Sequence, residues 1–142
     1  DSITYGYDGA IPNNTNNVRV EKPYPVTVQE TLGLLKANNY GVSGAAISGG
    51  SNPLYINYAN MTNNADYVIV FAGTNDWQGS IYGQPLGEKT DTEAGTLYGA
   101  LDILIKGLVN KYPTKKIGFI TPLKRTAGGE TNKYDLTLEF LF

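Results

Sequence analysis

Three residues far apart in the chain have the right types for acyl transfer: Ser2 in DSITYG, Gly44 in GVSGA and Asn75 in FAGTNDW. Acyl transfer needs a nucleophile and preorganised donors aimed at the oxygen that becomes negative. A serine hydroxyl supplies the first. Glycine lets a backbone N–H approach a ligand with no Cβ in the way. An asparagine carboxamide is a neutral donor at every working pH. The large apolar and aromatic residues Trp77, Ile81 and Tyr82 follow Asn75 closely and are candidates to line a substrate pocket or simply to pack their own loop.

Totals bound the chemistry. The chain has 142 residues, 41% hydrophobic and 17% charged, the composition of one globular domain large enough to bury a core. With no cysteine there is neither a disulfide framework nor a thiol nucleophile. With no histidine as well, a zinc site would have to rely on oxygen ligands alone. We therefore expect no metal and no cofactor. A net charge of −2 gives no electrostatic footprint for nucleic acid, and no apolar run reaches the ~20 residues of a membrane span. The basic cluster Lys115, Lys116, Lys124 and Arg125 reads as a solvated strand end. Location and oligomeric state stay open between secreted and cytoplasmic.

The elements that must position the three residues alternate in type. Segment 7–25, rich in Gly, Pro and Asn, reads as a long loop. A capping box from Thr27 to Glu30 predicts a helix start, with Val28, Leu32 and Leu35 as its apolar stripe and Asn38–Gly41 as its stop. GVSGAAIS at 41–48 predicts a short strand, and residues 54–63 a helical turn. YVIVFAG at 67–73 and KIGFIT at 116–121 predict strands buried on both faces. Between them Leu97, Leu101, Leu104 and Leu108 mark a helix that Pro113 ends. YDLTLEFLF at 134–142 begins a further helix-like element. Helix and buried strand in alternation predict an α/β fold with a parallel sheet, whose ligands sit beyond the carboxyl ends of the strands. There Ser2, Gly44 and Asn75 would converge.

The same residues resemble a known family. DSIT resembles the tail of the GDS(I/L) motif of the SGNH (GDSL-type) hydrolases, NYGVSGA their second block, and VIVFAGTND their third, G-x-N-D. The blocks fall in family order over residues 1 to about 125, and the ordered set is more specific than any one block. The resemblance implies a serine esterase or acylhydrolase with a three-layer α/β/α, flavodoxin-like sheet. It also implies Ser2 as nucleophile and Ser2, Gly44 and Asn75 as the oxyanion donors, acting on a small ester or an acylated carbohydrate. Two departures stand out. The family's D-x-x-H finds only Asp135 to Leu138 here, and no strand precedes the first block. Both lead to the expectation that residues 1–142 are an interior piece of a single longer hydrolase domain, with the first strand and the histidine segment outside it. A non-catalytic flavodoxin-like binding or scaffold domain is the alternative.

Other candidates have plainer readings. Asp76 is a turn residue after a strand. Asp91 and Glu93 precede a helix, where acids complement its dipole. Ser48 in AISGG resembles a nucleophile elbow, but Ser51-Asn52-Pro53 makes a turn where an elbow needs a helix.

Overall fold

Leucines at helical spacing, bracketed by a threonine and a proline, form the longest element, α5 (Leu97–Lys111). The fold is seen in a computed structural model that describes residues 1–77 and 82–122. Thr96 caps α5, its hydroxyl oxygen accepting from Gly99 N–H at 3.1 Å, while that hydroxyl donates to Asp91 Oδ2 at 2.8 Å. Asp91 thus fixes the capping residue rather than sitting idle before the helix. At the other end Tyr112 leaves helical geometry at φ −128°, ψ 57°, as a residue before proline must. Leu97, Ala100, Leu104 and Leu108 are fully buried and form one stripe.

That stripe packs in one core with Val68 and Val70 of β1 (Tyr67–Phe71). The strand β2 (Lys116–Ile120) pairs with β1 in parallel, Tyr67 opposite Lys116 and Phe71 opposite Ile120. Parallel neighbours need a long crossover, and α5 is part of it. Ahead of β1, α3 (Leu54–Asn57) and a 3₁₀ turn (Tyr58–Asn60) add Leu54, Tyr55 and Tyr58 to the core margin. Tyr112 O–H donates to Thr62 O at 2.6 Å and closes this side. The one-turn helix α4 (Thr74–Trp77) begins just beyond the carboxyl end of β1. The helical turn expected within 54–63 is present.

Two compact units emerge, Asp1–Ser43 and one beginning at Gly44. In the first, α1 (Ser2–Tyr5) is a single turn capped by Asp1, whose Oδ1 accepts from Ile3 N–H and Thr4 N–H. Asn39 Nδ2 donates to Thr4 O at 2.7 Å, and a Cβ on Gly41 would overlap the backbone at Tyr5. Asn14 organises the 7–25 loop, accepting from Val18 N–H and donating to Asp8 O and Val18 O.

Several expectations are corrected. The helix α2 (Tyr24–Leu32) starts ahead of Thr27, because Pro23 and Pro25 preset helix-entry geometry and no side chain caps it. Glu30 pairs with Lys22 instead of closing a capping box. Gly33, at φ 61°, ends the helix before Asn38 is reached. Val28, Leu32 and Leu35 are exposed. Residues 41–48 form no strand. Among the described residues β1 is buried on one face only, with Tyr67 and Ile69 exposed on the other, and β2 is exposed at Phe119 and Ile120, which lie on opposite faces. The expectations for 124–125 and 134–142 lie outside the described residues.

Among the described residues no helix is long and apolar enough to cross a membrane. Leu104 is one of the large core side chains with no exposed surface. Leu104→Ala should therefore lower unfolding free energy by about 2–5 kcal/mol in a denaturant titration. A loss under about 1 kcal/mol would mean that α5 does not seat its stripe as described.

Candidate functional site

The loop that carries Gly44 has its backbone groups paired with side chains rather than with a neighbouring strand. Ile47 N–H donates to Asp76 Oδ2 at 2.7 Å, and Ser48 N–H to Asp76 Oδ1 at 3.0 Å. Ser48 O–H donates to that same Oδ1 at 2.6 Å. On the carbonyl side, Ala46 O accepts from Leu54 N–H and Ile47 O from Tyr55 N–H, at the start of α3. This is why residues 41–48 are apolar enough to read as a strand and yet form none. Their hydrogen bonds are taken by Asp76 and α3.

Asn75 adds a further tie. Its Nδ2 donates to Ala45 O at 2.8 Å, so the carboxamide nitrogen faces the residue next to Gly44. Asn75 is buried, and its second N–H has no acceptor among the described residues. Gly44 itself sits at φ +77°, a left-handed conformation that side chains rarely adopt. No described group accepts from its N–H. Two donors of the type that stabilise an oxyanion therefore belong to one small cluster, at the carboxyl end of β1.

Tyr82 stands against the same loop. Its Cε1 lies 3.2 Å from where a Cβ on Gly44 would be, so the ring occupies the space that glycine leaves open. Gly83 runs beside Asp76, where a Cβ would come within 2.9 Å of Asp76 Cα. Gln84 N–H donates to Ser48 Oγ at 3.0 Å. The turn from Tyr82 to Gln84 is thereby fastened to both block residues and Asp76.

Sequence reasoning named Ser2, Gly44, Asn75, Trp77 and Tyr82. The structure brings Gly44, Asn75 and Tyr82 together within the second unit. Trp77 is the last residue of α4. Ile81 lies outside the described residues. Ser2 is the first residue of α1 in the first unit, half-buried, its carbonyl accepting from Gly6 and Tyr7 N–H and its own N–H without a described acceptor. The capping bonds of Asp1, ahead of it, fix the turn that carries the hydroxyl. Ser48, set aside above as a nucleophile, has its hydroxyl engaged at both ends, its hydrogen donated to Asp76 and its oxygen accepting from Gln84 N–H. What the sequence did not disclose is the reach of Asp76 across 28 residues to Ser48. The N-D dipeptide was the available signal. Among the described residues no group of three or more acidic, cysteine or histidine side chains is placed to hold a metal.

A model of the GDSL-like lipase/acylhydrolase family matches residues 1–137. Among solved structures, a protein from Lactobacillus plantarum is similar at 28% identity and a TM-score of 0.76, over 89% of this chain and 62% of its own. A second, described as a possible lipase from Chitinophaga pinensis, is 33% identical with a TM-score of 0.72, over 98% of this chain and 57% of its own. The chain thus spans 57% to 62% of the length of these two structures. No curated protein matches the sequence. The three-layer α/β fold expected from the motifs is the fold of these neighbours. With its three blocks in order and the family match running almost end to end, the chain belongs to the GDSL-like lipase/acylhydrolase family.

Proposed function

We propose that the protein carrying this chain is a serine ester hydrolase acting on a small ester or an acylated carbohydrate. Ser2 Oγ attacks the ester carbonyl carbon while its proton passes to a histidine contributed from outside these 142 residues. The carbonyl oxygen, now negative, is held by the N–H groups of Ser2, Gly44 and Asn75 Nδ2. When the tetrahedral intermediate collapses, the bond to the alcohol breaks and the histidine's proton goes to the departing oxygen. Water, deprotonated by the same histidine, then attacks the acyl-serine and releases the acid. Tyr82 borders the acyl or alcohol group.

The observation that carries this reading is the clustering of the Asn75 carboxamide with the Gly44 loop, through its 2.8 Å bond to Ala45 O. A carboxamide held that way is preorganised. It does not have to reorient when charge develops, which is where such donors gain their catalytic value. The family membership and the neighbour described as a possible lipase support the same class.

In the full-length protein, Asn75→Ala should lower kcat on acetyl or butyryl p-nitrophenyl esters by about 10²–10³. Unfolding should shift by only ~1 kcal/mol, the value of one lost hydrogen bond. Parent-like turnover would remove Asn75 from the site. Ser2→Ala should abolish covalent labelling by a fluorophosphonate probe; labelling at the parent rate would place the nucleophile elsewhere. Tyr82→Ala should raise KM severalfold at nearly constant kcat, as loss of a ground-state contact does. If KM for every acyl length stays unchanged, Tyr82 does not border the substrate.

A further inference from the structure

We propose that Asp76 is a positioning residue for the oxyanion donors, and that Ser48 is the joint through which it also places Tyr82. This deepens the esterase reading and rests on it. Asp76 is almost wholly buried, and its carboxylate accepts Ile47 N–H, Ser48 N–H and Ser48 O–H. An ionised carboxylate has only acceptor sites, so each of these donors is drawn to a fixed place. The loop between Gly44 and Ser48 therefore cannot drift without breaking a charge-assisted bond. Gly44 N–H, three residues from Ile47, takes its place from that anchorage and from the Asn75 bond to Ala45 O.

Ser48 carries the constraint further. Its hydroxyl hydrogen goes to Asp76, which leaves the oxygen to accept Gln84 N–H at 3.0 Å. Gln84 follows Tyr82 and Gly83, and the Tyr82 ring lies on Gly44. One buried acid thus sets two things that meet substrate: the amide that receives the oxyanion and the ring beside it. Misplacing reactive groups by about 1 Å can cost on the order of 10² in rate, and the loss falls on kcat when the donors act only in the transition state.

Asp76→Asn keeps the size of the side chain but turns one acceptor oxygen into an N–H₂ group facing an N–H donor. The measurement is kcat and KM on the same p-nitrophenyl esters in the full-length protein, with active sites counted by fluorophosphonate titration. We expect kcat per titrated site to fall on the order of 10² with KM within about twofold of the parent. Leu104→Ala serves as the comparison, because it should lower stability while leaving kcat per titrated site unchanged. If Asp76→Asn behaves like Leu104→Ala, the positioning role is overturned. Should Asp76→Asn fail to fold, Ser48→Ala decides, since it keeps the two amide bonds to Asp76 and loses only the joint. A kcat loss of roughly tenfold at constant KM is expected there, and parent-like kcat overturns the proposal. When Asn75→Ala is crippled but these variants are not, this inference alone falls. When Asn75→Ala is unaffected, the esterase reading falls with it.

Discussion

A single buried carboxylate organises the second unit around the candidate site. Taking Asp76 out of water is expensive, and the cost is offset only if donors replace the lost hydration. Here three donors do so, two amides and one hydroxyl, all from Ile47 and Ser48. The arrangement has a consequence beyond Asp76. Residues 44–48 are small and apolar, with two glycines close by, and alone would have little reason to hold one conformation. The acid gives them one. Because Asp76 sits in α4, immediately beyond β1, the loop inherits the rigidity of a strand whose Val68 and Val70 are locked against α5.

The first unit solves a similar problem with weaker means. Ser2 needs a defined turn, and a four-residue helix has too few internal hydrogen bonds to sustain itself. Asp1 supplies two bonds to its orphan amides, and Asn39 takes the Thr4 carbonyl at 2.7 Å. Asn39 also accepts Gly41 N–H, so one side chain ties Gly41 to the turn that bears the serine. In both units a short polar side chain, not a length of regular structure, holds the residue proposed to carry the chemistry.

That difference explains what could be read in the sequence. α5 was legible because Leu97, Leu104 and Leu108 repeat at helical spacing between Thr96 and Pro113, and such a stripe has one good solution. β1 and β2 were legible as β-branched runs, although burial on both faces was not, since Ile69 and Phe119 are exposed. α2 misled because Thr27 and Glu30 match a capping pattern while Pro23 and Pro25 act first, through fixed φ. GVSGAAIS misled for the reason given by Asp76: local composition says strand, and a distant carboxylate decides otherwise. Gly44 and Asn75 were singled out from residue type and from the resemblance of their motifs, and the structure places them in one cluster. The partners that orient them were not, because a bond spanning 28 residues leaves no periodic trace.

The order of the Asn75-Asp76 pair then follows from charge. These neighbours in one helical turn have side chains of nearly equal shape and opposite duties. In the proposed mechanism Asn75 offers hydrogen to an oxygen that becomes negative, which a carboxylate at that place would repel. Asp76 must accept from three donors at once, which an amide with a single acceptor atom cannot do well. Reversing the two would put a negative charge beside the Ala45 carbonyl and an N–H₂ against the Ile47 amide, an electrostatic penalty at both places. On the proposed mechanism the dipeptide is therefore directional: the amide serves the chemistry and the acid holds the scaffold. It is this division that lets a loop of glycine and alanine present a backbone donor in a fixed direction.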